Sequence, residues 1–309
     1  PSARVPELPE VEVVRLGPSP AVTDAVSCGV EVFDSRALTR HDGDASDFEV
    51  RLGGRRIVGA ARRGKFLWMP LSPGGAAGAG DPAGEALVAH LGMSGQLLLR
   101  APGAEDGRHL RVRVGLEHPE HGEMRVDFVD QRTFGSLAID ALVPTADGAP
   151  AGWGSGEALV PSQVAHIARD PLDAAFDDRR LVNVLARKNS AIKRVLLDQT
   201  VISGVGNIYA DEALWAARIH PETAASALPT RSVNHLLAEV RAVLNKALVE
   251  GGTSFDAQYV NVNGEAGYFA HSLNAYGRGG APCPRCGGPF RRDSSMNRSS
   301  HFCPRCERR

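Results

Sequence analysis

The hydrophobic pattern of the first half of the chain is typical of β-strands. A short helix is predicted over Pro9–Arg15, where Gly17 follows as a stop signal. Four later segments show the alternation or the apolar content of half-buried strands: Ile57–Met69, Ala86–Leu99 (interrupted by GMSG), His109–Leu116 and Met124–Val129. The pattern therefore predicts a mostly antiparallel β domain after one leading helix.

Beyond Pro171 the apolar residues recur at helical spacing. Helices are predicted over Leu181–Leu197 and Asn207–Ala217, joined by a turn that contains GVG. A third helix is predicted to begin at a Ser232 cap and to end at Gly251. Its apolar stripe is Val233, Leu236, Leu237, Val240, Leu244 and Leu248.

Two segments are poor in structure-forming residues. Pro70–Gly84 is rich in Gly, Ala and Pro and is interpreted as an exposed loop, and Pro144–Ser162 is interpreted as an interdomain linker. A strand-rich first half followed by a helical second half predicts an α+β fold. The length of 309 residues suggests about two domains.

Four cysteines near the end of the chain form the most specific local motif. Cys283 and Cys286 are one C-x2-C pair, Cys303 and Cys306 are the other, and 16 residues separate the pairs. This spacing is typical of a four-thiolate Zn²⁺ site that holds a small hairpin together. The alternative is two disulfides in a secreted module, which the absence of a basic-then-apolar targeting pattern in the first 30 residues does not favour.

The net charge of −1 conceals an asymmetry between the two halves. From Arg179 to the end there are 18 Lys and Arg against 10 Asp and Glu, whereas the preceding residues hold 17 against 26. A basic second half favours a polyanionic partner such as nucleic acid, although a merely solvated surface is the alternative.

No apolar run approaches the ~20 residues that a membrane span requires. With its tetrad and the lone Cys28, the chain is expected in a reducing cytoplasm.

Several weaker signals point to DNA. Glycines before a helix expose backbone N–H groups to an anion, so Asn207 either caps this helix or contacts a phosphate, with Lys193 nearby. Met93 in its glycine-bounded turn and the Arg132-Thr133-Phe134 segment suit insertion into a base stack, although ordinary core packing is the alternative. Lys65 alone would be interpreted as a surface charge.

Together these motifs resemble one family. In order and spacing, PELPEVE, RRGK, HLGMSG, QRTFG, AIK, SGVGNIYADE, GYFAHSLNAYGR and RSSHFCPRC are similar to formamidopyrimidine-DNA glycosylases, bacterial enzymes that remove oxidised purines from DNA. The resemblance covers Pro6 to Cys306. The related endonuclease VIII, which prefers oxidised pyrimidines, usually opens with PEGPE and lacks the trio matched here by Met93, Arg132 and Phe134.

The resemblance implies an architecture and a reaction. An N-terminal β-sandwich domain is expected over residues 6–145, a helix-two-turn-helix domain over 163–275 and a zinc hairpin over 276–309, with double-stranded DNA between the halves and a monomer as the active form. The implied activity is that of a bifunctional glycosylase and abasic-site lyase for 8-oxoguanine and formamidopyrimidines. The implied cofactor is one structural Zn²⁺, and the implied partner is DNA with oxidised or abasic sites.

The resemblance also implies residue roles. Pro6 matches the nucleophile, Glu7 the acid and base beside it, and Lys65 and Arg298 the cations at the reacting strand. The implied DNA contacts are Met93, His109, Arg132, Phe134, Lys193, Asn207 and Tyr209. The loop over Gly251–Tyr268 matches the loop that covers the lesion.

One feature departs from the family pattern. The family proline is the mature N-terminus, but here Pro1-Ser2-Ala3-Arg4-Val5 precede Pro6. An amide nitrogen has its lone pair in resonance and cannot form an imine. We therefore expect translation to start at Val5 and processing to free Pro6. The alternatives to the leading function are an endonuclease VIII-like pyrimidine glycosylase and a lesion-binding homologue without catalysis.

Overall fold

An antiparallel β-sheet forms most of the first half of the computed structural model, which describes residues 6–73, 84–253, 269–295 and 298–308. Its strands are β1 (Val26–Val32), β2 (Arg55–Ile57), β3 (Ala61–Arg63), β4 (Phe66–Pro73), β5 (Glu85–His90), β6 (Gly95–Arg100), β7 (Leu110–His118), β8 (Gly122–Asp130), β9 (Ser136–Pro144) and β10 (Leu159–Pro161). The strand order is β10-β9-β5-β4-β2-β1-β7-β8-β6, with β3 paired to β4. The predicted antiparallel domain is confirmed.

The sheet folds over itself around one apolar core. Leu71 of β4 and Leu137 of β9 lie in the same buried cluster as Val112 of β7 and Phe128 of β8. The two halves of the sheet share this core and therefore form a β-sandwich, as strands with alternating apolar and polar residues favour. The α+β class is confirmed.

Three helices belong to the sheet domain: α1 (Leu8–Leu16), α2 (Ser19–Val22) and α3 (Ala45–Leu52). The sequence interpretation identified only the first of them. Asp44 caps α3 by accepting a hydrogen bond from the Asp47 N–H at 2.9 Å. Phe48 and Leu52 of α3 are fully buried against the sheet. The expected linker also differs, because it contains β10 and its Ala151 packs with β4 in a second apolar cluster.

The second half contains α4 (Asp178–Leu185), α5 (Ile192–Leu196), α6 (Asn207–Ala217) and α7 (Thr230–Val249). The bounds of α6 agree with the prediction. The predicted stripe of α7 is buried from Val233 to Leu244, but α7 begins earlier than predicted, after Pro229, so Ser232 lies within its first turn. These helices form a separate apolar cluster.

The cysteine segment folds as the expected hairpin, with β11 (Arg291–Ser295) paired to β12 (Arg298–Phe302). Contacts link α6 to β12 and α1 to α7, so the hairpin and the first helix both pack on the helical domain. Within the residues that the structure describes, none of the helices has the length and apolar character needed for a membrane span.

Candidate active site

Pro6 and Glu7 lie at the junction of the two halves of the chain. Both are buried, and Glu7 is 3% exposed. Glu7 is the N-cap of α1, and its backbone N–H donates to Glu10 Oε2 at 2.9 Å. Pro9 fits the first turn because its missing N–H needs no partner there. The sequence PELPE thus fixes a helix start directly after Pro6, with Glu7 as its N-cap.

The Glu7 carboxylate binds the N-terminus of α6, about 200 residues away in sequence. It accepts hydrogen bonds from the N–H groups of Gly206 at 2.8 Å, Ile208 at 3.0 Å and Tyr209 at 3.4 Å. A Cβ on Gly206 would lie 2.2 Å from Glu7 Cδ, so only glycine fits this approach. The sequence predicts the GVGN turn as a phosphate site, and in the structure the buried N–H groups of Gly206, Ile208 and Tyr209 bind this carboxylate.

Burial and neighbouring charges set the protonation of this group. Burial raises the pKa of Glu7 to about 7, while the Lys65 ammonium opposes the shift and Glu10 adds to it. Burial lowers the pKa of Lys65, with the nearby Glu7 opposing and Arg298 reinforcing the change. Lys65 therefore lies within electrostatic reach of both Glu7 and Arg298. A carboxyl with a pKa near neutrality can both give and take a proton at physiological pH.

We expect Glu7→Gln to remove a pH-dependent loss of stability. The carboxyl has an ordinary pKa of 4.5, and in the fold the pKa is about 7. Between these values the folded state binds a proton that the unfolded state does not. The free energy of unfolding therefore falls as pH rises through this window, by at most about 1.4 kcal/mol per pH unit.

Glutamine does not titrate, so the variant should gain stability relative to the wild type as pH rises from 5 to 7. Urea unfolding of both proteins across this range measures the difference. A difference that stays constant with pH would contradict the shifted pKa.

Lys65 follows a tight turn that contacts the helical domain. Gly64 has φ +58°, and a Cβ there would lie 2.7 Å from Ser203 Cβ. The buried Arg62 supports this turn, since its Nη1 donates to the Gly64 carbonyl at 3.1 Å and to Asp170 at 2.9 Å. Its Nε donates to Glu12 of α1 at 2.8 Å. Arg62 was not identified from the sequence, because Glu12 and Asp170 lie 50 and 108 residues away from it.

Lys193 and Asn207 converge on the zinc hairpin. The Lys193 ammonium donates to the Ser299 carbonyl and to Ser300 Oγ, both at 2.9 Å, and pairs with Asp211 at 2.6 Å. Asn207 Nδ2 donates to the same Ser299 carbonyl at 3.0 Å. Both predicted phosphate contacts thus hold the backbone directly after Arg298.

Tyr209 lies behind the site. It is 1% exposed and its hydroxyl donates to Glu10 Oε1 at 2.6 Å. The same oxygen accepts hydrogen bonds from the N–H and the hydroxyl of Thr253, both at 2.8 Å. This placement supports the α1 start and does not favour a direct DNA contact. Of the predicted lesion loop, Gly251–Tyr268, residues 254–268 lie outside the described residues.

The trio expected to fill a gap in DNA comes from two adjacent turns. Arg132 Nη1 lies 3.9 Å from Met93 Sδ, and Phe134 is 63% exposed. An exposed phenylalanine beside an arginine and a flexible methionine has the composition of an inserting wedge. His109 lies next to these turns, since its carbonyl accepts a hydrogen bond from the Asp130 N–H at 3.0 Å.

His90 is a site residue that the sequence interpretation missed. Its ring packs on Phe66 at 4.9 Å between centroids. Burial lowers the pKa of His90 to about 4, and the Arg40 and Lys65 charges lower it further. The imidazole is therefore neutral at pH 7 beside the Lys65 ammonium. Its position in HLGMSG, directly before the Met93 turn, is the signal that could have found it.

The four cysteines form a closed metal site. All ligand atoms lie within 4.8 Å of one another, with Cys283 and Cys306 Sγ 3.9 Å apart and Cys286 and Cys303 Sγ 3.4 Å apart. A tetrahedral Zn²⁺ with bonds of about 2.3 Å places its sulfurs about 3.8 Å apart, whereas a disulfide needs about 2.05 Å. The donor set therefore fits a structural Zn²⁺. The Trp215 indole N–H donates to Cys283 Sγ at 3.5 Å and ties α6 to the site.

Comparison with protein-family models gives three consecutive matches. Residues 5–137 match the formamidopyrimidine-DNA glycosylase N-terminal domain, and residues 167–258 match the formamidopyrimidine-DNA glycosylase H2TH domain. Residues 280–309 match the zinc finger found in FPG and IleRS. The matches follow the order in which the sheet domain, the helical domain and the cysteine hairpin occur.

Relatives of similar length match along the whole chain. The formamidopyrimidine-DNA glycosylase of Leifsonia xyli subsp. xyli is 64% identical over 98% of this chain and 100% of the relative. That of Thermobifida fusca is 52% identical over 99% and 98%. Among solved structures, Lactococcus lactis Fpg bound to DNA containing an abasic site matches with a TM-score of 0.78 and 27% identity, over 98% of this chain and 100% of that one. The same protein bound to Fapy-dG containing DNA gives a TM-score of 0.78 at 27% identity.

Proposed function

Because this chain belongs to the formamidopyrimidine-DNA glycosylase family, we propose that Pro6, Glu7, Lys65 and Arg298 form the catalytic group with which it excises oxidised purines and cuts the resulting abasic strand. The enzyme is a DNA glycosylase with abasic-site lyase activity, and its partner is duplex DNA with oxidised or abasic sites. One observation carries the assignment of residues. A carboxyl with a pKa near 7 lies directly after Pro6 and within electrostatic reach of Lys65, which is itself within reach of Arg298.

The proposed reaction begins with extrusion of the damaged nucleotide. A base within a duplex is out of reach of the buried Pro6, and its extrusion costs a few kcal/mol, least for a damaged pair. Met93, Arg132 and Phe134 would fill the gap that the base leaves. The free secondary amine of Pro6 then attacks C1′, the base leaves with a proton, and the nitrogen loses its own proton. The C1′–O4′ bond then breaks, O4′ takes up a proton, and the nitrogen lone pair forms the C1′=N⁺ bond of a cationic imine. Glu7 would remove the proton from the Pro6 nitrogen and supply one to the ring oxygen.

The imine makes strand cleavage accessible. It acidifies the hydrogens on C2′, so removal of one proton expels the 3′ phosphate, and a second elimination expels the 5′ phosphate. Lys65 and Arg298 would stabilise the departing phosphates by charge. Lys193 and Asn207 both bind the carbonyl of Ser299, the residue after Arg298, and so hold Arg298 in position. Zn²⁺ would be structural, because the protein fills all four positions.

We also propose the wider setting of the reaction. The boundaries are those expected from the sequence, with a catalytic β domain over 6–145, a helix-two-turn-helix domain over 163–275 and a zinc hairpin over 276–309. The basic charge of the second half supports a cleft for DNA between them. The enzyme would act as a monomer on DNA in the cytoplasm of a bacterium, as its bacterial relatives suggest.

Matched duplex oligonucleotides test this proposal against its alternatives. We expect release of 8-oxoguanine and formamidopyrimidine bases in single-turnover assays, with much slower release of an oxidised pyrimidine such as 5-hydroxycytosine. Faster release of the pyrimidine would favour an endonuclease VIII-like enzyme. Tight binding of lesion duplexes without base release or strand cutting, by a chain that begins at Pro6, would favour a lesion-binding homologue without catalysis.

A further inference from the structure

One buried carboxylate joins the two turns that carry the inserting trio. Asp130, at the end of β8, is fully buried. Its Oδ1 accepts hydrogen bonds from Ser94 Oγ at 2.5 Å and from the Arg132 N–H at 3.1 Å, and its Oδ2 accepts one from the Gly135 N–H at 2.8 Å. Ser94 Oγ in turn accepts from the Arg132 N–H at 3.0 Å. The carboxylate therefore fixes the 131–135 turn at both ends and bonds it to the Met93 turn.

The backbones of the two turns also touch. Gly92 has φ +62°, and a Cβ there would lie 2.3 Å from the Gly135 nitrogen and 2.4 Å from the Phe134 carbonyl carbon. A Cβ on Gly135 would meet Asp130 Oδ2 at 3.0 Å. Glycine at positions 92 and 135 lets the two turns approach closely. The neighbouring side chains, Met93 after Gly92 and Phe134 before Gly135, can then share one surface.

Thr133 shows how strongly the second turn is constrained. Its φ is +53°, in the left-handed region that β-branched residues avoid. Such a conformation persists only where the surroundings determine it. The Asp130 bonds on both sides of Thr133 are those surroundings, and they direct Arg132 and Phe134 outward from one rigid turn.

We propose that Asp130 and Ser94 are positioning residues that hold Met93, Arg132 and Phe134 in one rigid inserting element before DNA binds. This inference rests on the proposed function and deepens its base-extrusion step. Side chains that are already oriented need not be ordered at the moment of insertion, so less of the binding free energy is lost. Neither residue touches DNA, and their effect is on the extrusion of the base.

Asp130→Asn tests this role. An amide can keep the Ser94 and Arg132 bonds through its oxygen, but its NH2 then faces the Gly135 N–H, which leaves two buried donors opposed. Asp127 provides a matched control on the same strand. It is also buried, at 2% exposed, and pairs with Arg125 at 3.2 Å, but no hydrogen bond joins it to either turn. Asp127→Asn therefore removes a buried carboxylate from the same strand without removing a bond to the inserting element.

Two rates separate positioning from general damage to the fold. Release of 8-oxoguanine needs extrusion of a base, whereas cutting of a preformed abasic site does not. We expect D130N to slow base release relative to abasic-site cutting by on the order of tenfold, the effect of one lost hydrogen bond to a charged group. D127N should change both rates by the same factor. The fluorescence of 2-aminopurine opposite the lesion should also rise more slowly in D130N.

Ser94→Ala gives a second, milder test, because it leaves the buried carboxylate in place and removes only the two hydrogen bonds of the Ser94 hydroxyl, to Asp130 and from the Arg132 N–H. It should shift the same ratio in the same direction, and it decides the matter if D130N does not fold. Equal losses in both rates for S94A or D130N, or the same split in D127N, would overturn the positioning role. Absence of base release by the wild-type chain that begins at Pro6 would instead overturn the proposed function, and the positioning role with it.

Discussion

A chain that begins at Pro6 should be trapped covalently on abasic DNA by borohydride, and the same chain with Val5 still bonded to Pro6 should not. In the first chain the ring nitrogen is a secondary amine with a free lone pair. In the second it is a tertiary amide, whose lone pair is delocalised into the carbonyl. Loss of the nucleophile should lower base release and strand cutting by roughly 10³-fold or more.

The comparison uses two preparations that differ only in residues 1–5. Each is incubated with an abasic duplex and borohydride, and the adduct is measured by gel and by mass spectrometry. Binding of an uncleavable abasic analogue serves as the control, because a crowded site would weaken binding whereas a blocked amine would not. Equal trapping by both chains would show that Pro6 is not the nucleophile. Mass spectrometry of the protein from its native gene then decides which first residue the cell produces.

The hydrophobic period was sufficient to predict the elements whose burial follows one face. The α7 helix and the strand β7 were predicted because the buried residues of each lie on one face against a core. The predicted helix over Leu181–Leu197 is instead two helices. Its middle bonds to a distant segment, where the Ala225 N–H donates to the Ser190 carbonyl at 2.9 Å and the Ile192 N–H to the Thr223 carbonyl at 2.7 Å. Such tertiary pairing overrides helix propensity and leaves no periodic signal.

The residues of the site also differ in whether a local sequence pattern predicts them. The four cysteine ligands were predictable because their spacing alone defines a tetrahedral site. The roles of Glu7 and Lys193 depend on partners about 200 and 106 residues away. No local pattern specifies that the Glu7 carboxylate would bind the α6 N-terminus, or that Lys193 would face the hairpin. Asp130 is a further case, since a lone aspartate at a strand end gives no sign that it joins two turns.

Removal of zinc should release the hairpin and weaken DNA binding on the order of a hundredfold. The apolar cluster of the hairpin is small, with Ala275, Cys283, Phe290 and Cys303 buried and Trp215 and Cys306 packed against them, so its fold depends on the metal. Once β12 separates, Arg298 is no longer held over the site. Lys193 and Asp211 also lose partners, since Lys193 bonds Ser299 and Ser300 while Asp211 accepts from the His301 N–H at 2.9 Å.

Cys303→Ser and Cys28→Ser form a matched pair for this prediction. Cys303 is a buried member of the tetrad, whereas Cys28 is an exposed lone thiol on β1. Zinc content, measured with a chromophoric chelator after unfolding, should fall only in the Cys303 variant. Fluorescence anisotropy with an abasic duplex should then show the affinity loss in that variant and in chelator-treated wild type, with recovery of the latter on addition of Zn²⁺. Undiminished affinity in both would mean that Arg298, Lys193 and Asn207 keep their positions without the metal, so that contacts from α5 and α6 alone hold β12 in place.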